Sequence, residues 1–165
     1  MEALGNGIKG TLRKLQRSYL IPKSLRTRLL RLAGVDIRDA IVSPGLHLGP
    51  DVRVRIEPKA YINAGCFFDD AGDIHIGEYV HLGPGVTLLT TDHKIGAAKK
   101  RAGTPFSGTI RIEKGSWLGA RAVVFSGVTI AEGCIVGAGA IVTKSTEPHG
   151  LYVGAPARRI RDLPA

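Results

Sequence analysis

Aliphatic residues recur at every sixth position over a long stretch of this 165-residue chain. The stretch contains Ile112, Leu118, Val124, Ile130, Val136 and Val142. An α-helix does not produce this pattern, because its buried face recurs every 3.6 residues or so. A short strand followed by a turn fits six residues, and three such units would close a triangular coil of about 18 residues. A β-sandwich is the alternative, but its turns come about every 8 to 12 residues without a strict period.

The same spacing appears upstream, with two interruptions. It includes Ile76, Leu82 and Leu88 and, more loosely, Leu48, Val54, Ala60 and Cys66. The step from Cys66 to Ile76 is ten residues, and residues 90–109 lose the pattern and are predicted to form a loop. Stacked coils would turn the aliphatic side chains inward and place glycines in the turns. We therefore predict an all-β fold, a single-stranded parallel β-helix over residues 39–148; the spacing does not fix its hand, and parallel crossovers are generally right-handed.

Residues 1–38 form a basic N-terminal segment with nine Lys or Arg residues against two acidic residues. Leucines at 25, 29 and 32 predict one face of a short helix, and residues 9–20 are a second candidate. We expect the helix to cover the open end of the coil; the alternatives are peripheral contact with a membrane or a phosphorylated substrate. Because the remaining charge is nearly balanced, no nucleic-acid partner is expected. In the tail, residues 149–165, a brief helix is predicted from Arg158 to Leu163.

Several classes of protein are disfavoured by simple features of the sequence. No apolar run approaches the roughly 20 residues of a membrane span, and the basic N-terminus lacks a secretion signal, so a cytoplasmic location is expected, with membrane association at the inner face as an extension. Cys66 and Cys134 have no CxxC spacing and are expected inside the core.

His93 is the histidine best placed for catalysis. The other four, at positions 47, 75, 81 and 149, are expected to be ordinary surface residues. His93 instead falls where the repeat breaks into a long loop, and long loops on compact scaffolds usually carry function. An imidazole there could act as a general base toward an alcohol. His93 and Trp117 both stand one place before an inward position, so both should point outward.

Three segments carry a resemblance to a known family: TTDHKIG, then IRIEKGSWLGARAVVFSGVTIAEGCIVGAGAIVTK, then YVGAPARRIR. Over about residues 60–162 the chain resembles the hexapeptide-repeat acyltransferases of the maltose and galactoside O-acetyltransferase group. The resemblance implies left-handed coils and an acetyltransferase that uses acetyl-CoA and no metal. It also implies a homotrimer with each active site between two subunits.

The same resemblance assigns roles to individual residues. His93 would be the catalytic base, Asn63 and Asp70 would lie near the acceptor, and Trp117 would wall the site. The backbone N–H of Ala120 would stabilise the oxyanion, and the small side chain of Ala138 would allow the long arm of coenzyme A to approach. The remaining residues expected to contact coenzyme A are Thr143, Lys144, Arg158 and Arg161.

The acceptor is expected to be a hydroxyl of a carbohydrate. The acidic N-terminal segment of the family is replaced here by the basic segment 1–38. A glycan or glycolipid intermediate of envelope or polysaccharide biosynthesis is therefore favoured over free maltose or galactosides. N-acetylation of an amino sugar and a non-catalytic trimeric scaffold remain alternatives. A zinc-dependent carbonic anhydrase would need three converging histidines, and His75 and His93, 18 residues apart, could stack.

Overall fold

The computed structural model describes residues 5–165 and is a three-sided parallel β-helix. Each coil passes over faces A, B and C in turn. Face A holds β1 (Asp36–Ile37), β4 (Arg53–Ile56), β7 (Asp73–Ile76), β12 (Ile110–Ile112) and β15 (Thr129–Ile130). Face B holds β2 (Ile41–Val42), β5 (Tyr61–Ile62), β8 (His81–Leu82), β13 (Trp117–Leu118), β16 (Ile135–Val136) and β18 (Gly150–Gly154). Face C holds β3 (His47–Leu48), β6 (Phe67–Phe68), β9 (Thr87–Leu88), β14 (Val123–Val124) and β17 (Ile141–Val142).

The coil length changes along the helix. Arg111 pairs with Thr129, which gives the predicted 18 residues (129 − 111), whereas Arg53 pairs with Asp73, which gives 20 (73 − 53). The two extra residues lie on face A, where β4 and β7 have four residues each. An insertion of two keeps the inward and outward alternation, so the core is not disturbed. This insertion corrects the ten-residue step found in the sequence. The inward strand residue that precedes β7 is Phe68, and Cys66 lies in the turn before it.

The core confirms the inward assignment of the repeat. The aliphatic residues of the frame are buried on all three faces, and Cys66 and Cys134 are free thiols that are fully buried. Ser116 is also buried, and its hydroxyl donates to the carbonyl of Ala131. Trp117 points outward as predicted, with 53% of its surface exposed.

Two short helices, α1 (Asn6–Leu15) and α2 (Lys23–Leu32), cover the N-terminal end of the coil, as expected. Helix α2 contacts β1 and β2, and α1 contacts β3. The predicted face of α2 is confirmed for Leu29, which is buried, and is wrong for Leu25 and Leu32, which are exposed. The helix also buries Arg26 and Leu30. The second candidate helix begins earlier than predicted and ends at Leu15.

Two further predictions are corrected at the other irregular segments. Arg158–Leu163 does not form a helix but lies largely in strand β19 (Ala157–Asp162), which pairs antiparallel with β18 at the end of face B. A strand there satisfies backbone groups that the last coil would leave unpaired. Residues 90–109 are a hairpin rather than an irregular loop, with β10 (Thr91–Ile95) antiparallel to β11 (Ala102–Ser107). Across residues 5–165, neither helix has the length and apolar character needed to cross a membrane.

Candidate active site

The β10–β11 hairpin leaves the coil at the edge where face C turns into face A, here called the hairpin edge. Its base is fixed by three hydrogen bonds. Gly108 N–H donates to Thr90 O (2.9 Å), and the Ser126 hydroxyl donates to the same oxygen (2.9 Å). Thr91 N–H donates to Asp69 Oδ2 (2.9 Å). The hairpin therefore rises from a rigid base, although the two strands themselves are largely exposed.

His93 lies on β10, two residues beyond this base. Its Cα is paired with that of Pro105, and its side chain is exposed, as the sequence predicts. The backbone N–H of His93 donates to Oδ1 of Asp92 (2.7 Å). An exposed imidazole on a hairpin that is anchored at its base can meet a substrate or a second subunit.

The opposite edge of face C, where face B turns into face C, is called the glycine edge, since each of its turns contains glycine. Here successive coils approach very closely. A Cβ on Gly83 would lie 2.7 Å from Ala120 N, and a Cβ on Gly119 would lie 2.5 Å from Ala138 N. Glycine is therefore required at both positions to leave the amide groups of the next coil uncovered.

The amide group of Ala120 is chemically available. Its carbonyl accepts a hydrogen bond from Gly139 N–H (2.8 Å), whereas its own N–H has no acceptor among residues 5–165. A free backbone donor at an accessible turn can stabilise a negatively charged oxygen. Ala138, in the turn above it, is exposed. Asn63 lies in a lower turn of the same edge, where its Oδ1 accepts from Ala64 N–H (2.8 Å).

A groove of about 350 Å³ lies at the C-terminal end of the coil and brings Lys144 and Arg158 together. Both side chains are exposed, and neither has a carboxylate within 4.0 Å in the described part of the chain. Two unpaired cations in one groove can bind a phosphate group. Thr143 precedes Lys144 and is exposed, while Arg161 is exposed but does not line this groove.

Arg159 is a groove residue that the sequence analysis missed. Its guanidinium donates to Asp162 Oδ1 (2.8 Å) and to the Tyr152 hydroxyl (3.3 Å). Those two contacts, the Tyr152 hydrogen bond first, raise the pKa of Arg159 above its ordinary value. Arg159 therefore holds β19 against the coil. Its neighbour Arg158 lines the same groove but has no carboxylate partner among residues 5–165, and no sequence signal distinguished the two.

The remaining predicted acceptor residues lie apart from one another in a single chain. Asp70 is on the hairpin edge, next to α1, whereas Asn63 is on the glycine edge. Trp117 lies on face B beside Tyr79 and His149. One chain by itself does not assemble these residues around His93.

The histidines do not converge in this chain. His75 lies on face A and His81 on face B. The proposed stacking of His75 with His93 is wrong, because the hairpin takes His93 out of the coil and Arg111 becomes the neighbour of His75. Within residues 5–165, no three His, Cys, Asp or Glu side chains are grouped so as to hold a metal ion.

The sequence and the fold of this chain were compared with those of known proteins. The sequence profile described as the hexapeptide repeat of succinyl-transferase matches residues 109–144, which run through β12 to β17. A Vibrio cholerae hexapeptide-repeat acetyltransferase, solved in complex with acetyl coenzyme A, superposes with a TM-score of 0.85 at 27% sequence identity, over 97% of this chain and 87% of that one. This chain is a hexapeptide-repeat protein.

Two curated relatives of the hexapeptide-repeat protein extend the comparison. It is 38% identical over 122 residues to a putative acetyltransferase of Schizosaccharomyces pombe. The matched region covers 74% of this chain and 59% of that relative. It is 32% identical over 125 residues to the galactoside O-acetyltransferase of Escherichia coli K12, over 76% of this chain and 62% of that enzyme. The chain thus spans about three fifths of the length of these relatives.

Proposed function

We propose that this hexapeptide-repeat protein is an acetyltransferase that moves an acetyl group from acetyl-CoA to a hydroxyl of a carbohydrate or glycolipid. The observation that carries the proposal is the groove in which Lys144 and Arg158 lie together without a carboxylate partner. The phosphates of coenzyme A are the groups that such cations bind. The related Vibrio cholerae structure, complexed with acetyl coenzyme A, supports this donor.

In the proposed reaction His93 is the general base. Its imidazole takes the proton of the acceptor hydroxyl while that oxygen attacks the carbonyl carbon of the acetyl thioester. The free N–H of Ala120 stabilises the oxyanion that forms. When the carbon–sulfur bond breaks, the imidazolium returns the proton to the departing thiolate, so that His93 ends the cycle neutral. Trp117, Asn63 and Asp70 are proposed to contact the acceptor.

We also propose a homotrimer whose active sites lie between subunits. The outward side chains differ from face to face. On face A they include Arg53, Arg55, Asp73 and Arg111. On faces B and C they include Ile41, Tyr61, Trp117, Phe67, Val123 and Ile141. Apolar faces on both sides of the glycine edge are suited to packing against other subunits. Such packing would bring the hairpin edge of one subunit to the glycine edge of the next.

The biological setting that fits this proposal is the assembly of an anionic glycan. The basic helices at the end of the coil favour an acceptor that carries negative charge, as intermediates of envelope polysaccharides do. An acceptor presented at the inner face of a membrane would meet these helices first.

The proposal is tested by measuring release of the coenzyme A thiol across sugars, sugar phosphates, lipid-linked glycans and amines. His93→Ala should lower kcat at least about 100-fold, because a general base contributes that much or more. His75→Ala, on the polar face A, is the matched control and should remain active. Sedimentation should give the same oligomer for all three proteins. Full activity of His93→Ala would remove His93 from the mechanism.

A double substitution tests the proposed binding site for acetyl-CoA. Lys144→Ala combined with Arg158→Ala should raise the KM for acetyl-CoA more than it lowers kcat, because it removes binding that is equal in the ground and transition states. Arg53→Ala combined with Arg111→Ala, both on face A, is the control for the loss of two positive charges. An unchanged KM for acetyl-CoA would contradict the phosphate assignment.

A further inference from the structure

A cavity of about 410 Å³ lies between α1 and the hairpin edge, separate from the groove of Lys144. Its lining is strongly charged. The cationic members are Lys9, Arg13, Lys14 and Arg17, and the acidic members are Asp51 and Asp70. Four cations against two carboxylates leave two surplus positive charges around a space large enough for a sugar ring or a phosphate group.

The cations of this cavity are not neutralised by the protein. Across residues 5–165, none of these six charged side chains has an oppositely charged group within 4.0 Å. Arg13 donates to the carbonyls of Gly49 and Pro50, but its buried Nε has no partner. Burial lowers the pKa of Arg13, and the nearby Asp51 opposes the effect without cancelling it. An anion in the cavity would supply the missing countercharge.

The packing of α1 against the coil uses only one of these four cations, Arg13. Lys9 and Arg13 are four residues apart and thus on one side of the helix, where like charges repel. The first turn of the helix has no acidic residue to offset them. The C-terminal part of the helix is joined to the coil by Arg13, through the carbonyls of Gly49 and Pro50, and by Gln16, whose amide donates to the carbonyl of Leu46 (2.7 Å). Among residues 5–165, the side chains of Lys9, Lys14 and Arg17 make no hydrogen bond or ion pair, although they line the cavity. Cations that the fold does not use, facing a cavity, are typical of an anion-binding site.

The cavity is connected to the hairpin that carries His93. Asp70 lines the cavity, and its neighbour Asp69 accepts the hydrogen bond from Thr91 at the hairpin base. His93 is two residues further along β10. The cavity and His93 therefore lie on the same edge of the coil, and one extended ligand could reach from the first toward the second.

From this arrangement we infer that the cavity binds a phosphate group of the acceptor, so that the acetylated carbohydrate is a phosphorylated one. The inference rests on the proposed function, because it names the acceptor of that reaction. The cations would hold the phosphate oxygens, and Asp51 and Asp70 would accept hydrogen bonds from sugar hydroxyls. The phosphate could belong to a soluble sugar phosphate or to a lipid-linked glycan, since both present the same chemistry.

Gly10 offers a substitution that tests the cavity without disturbing the core. It lines the cavity, and a Cβ added there would meet nothing within 4 Å. Gly10→Glu would place a negative charge in the cavity and improve the intrinsic helix propensity. Gly7 is in the same helix, also has open space around its Cβ, and does not line the cavity. Gly7→Glu is therefore the matched control for net charge and propensity.

Binding is measured by calorimetry on the full chain, with glucose 1-phosphate and glucose as probes. Wild-type protein and Gly7→Glu should bind the phosphate at least about tenfold more tightly than the neutral sugar, and Gly10→Glu should lose that preference. A second arm uses flotation with phosphatidylcholine vesicles with and without phosphatidylglycerol. Vesicle binding that needs the anionic lipid and is lost in Gly10→Glu identifies a lipid-borne phosphate as the source.

The inference is overturned if neither arm shows a phosphate preference, or if Gly7→Glu and Gly10→Glu behave alike. Neither readout depends on acetyl transfer. Phosphate binding without thiol release with any acceptor would refute the proposed function alone, and rapid acetylation of neutral sugars without phosphate binding would refute the inference alone.

Discussion

Arg26 is a charged side chain that lies almost wholly inside the protein. Its guanidinium donates to four backbone carbonyls, those of Gln16, Ser18, Ile21 and Val42. Desolvation lowers the pKa of Arg26 below its ordinary value. The side chain thus joins both helices and the first coil through backbone acceptors, and its charge is stabilised by carbonyl dipoles instead of a carboxylate.

Replacement of Arg26 should therefore be costly. We expect Arg26→Met to lower the free energy of unfolding by roughly 2–4 kcal/mol, because several buried carbonyls lose their donor. Urea denaturation followed by circular dichroism measures the change. Arg28→Met, at an exposed position of the same helix, should stay within about 0.5 kcal/mol of wild type. Equal effects of the two substitutions would show that the buried hydrogen bonds are not what matters.

The two cysteines give a prediction about pH. Burial raises the pKa of the Cys66 thiol from 9.0 to about 11. Cys134 is also fully buried. We expect no reaction with a disulfide reagent at pH 8 in the folded protein and two reactive thiols after unfolding. Because the folded state binds the Cys66 proton more tightly than the unfolded state does, the free energy of unfolding should fall as pH rises from about 9 to 11. Rapid labelling of the folded protein at pH 8 would contradict this.

The sequence predicted the burial of Cys66 correctly but not that of Arg26. A six-residue period fixes which residues face inward in the turns as well as in the strands, so the burial of Cys66, in the turn before β6, follows from counting. The leucine spacing of α2 does not fix its buried face in the same way. Leucines 25, 29 and 32 are one plausible buried face, but α2 is rotated so that Arg26 and Leu30 face the coil. Whether an arginine can be buried depends on carbonyls from distant residues, which a local pattern does not contain.

At the scale of elements, the coil and the hairpin behave independently. Thr87 of β9 pairs with Val123 of β14, 36 residues later (123 − 87). This equals two coils of 18, so the hairpin occupies the length of one coil and leaves the register intact. The polar, exposed residues of β10 and β11 do not alternate with a core, which is why the sequence indicated an irregular loop there. The 20-residue coils were missed for a related reason: Val54 and Ile56 both face inward, and spacing alone did not show which belonged to the frame.

This independence predicts the result of removing the hairpin. Thr90 and Gly108 are already joined by a hydrogen bond, so replacing residues 91–107 with two glycines should close the coil without strain. We expect the variant to fold, with its thermal midpoint within about 8 °C of wild type, and to fall to the activity of His93→Ala. Circular dichroism and thiol release measure the two properties. A variant that stays active would show that catalysis does not need the hairpin.

For the whole molecule, the sequence predicted which residues point outward but not which edge each one occupies. Edge position depends on the number of corners between two residues, and the extra residues on face A and the hairpin both change how many residues lie between one corner and the next. The structure puts His93 and Lys144 on the hairpin edge, whereas Ala120 and Ala138 are on the glycine edge. The residues assigned to one reaction are thus divided between two edges of each chain. A site shared between subunits follows from the proposed trimer.

Subunit complementation tests this division directly. Ala138→Trp should block the glycine edge, and His93→Ala should disable the hairpin edge, so each variant alone should be inactive. In trimers assembled from equal amounts of both, a site needs an intact hairpin edge from one variant and an intact glycine edge from the other. In random assembly the hairpin edge of a site is intact with a probability of one half, and so is its glycine edge. About a quarter of the wild-type thiol-release activity should therefore return. Each variant chain lacks one of the two parts, so sites built within single chains would leave the mixture as inactive as its components.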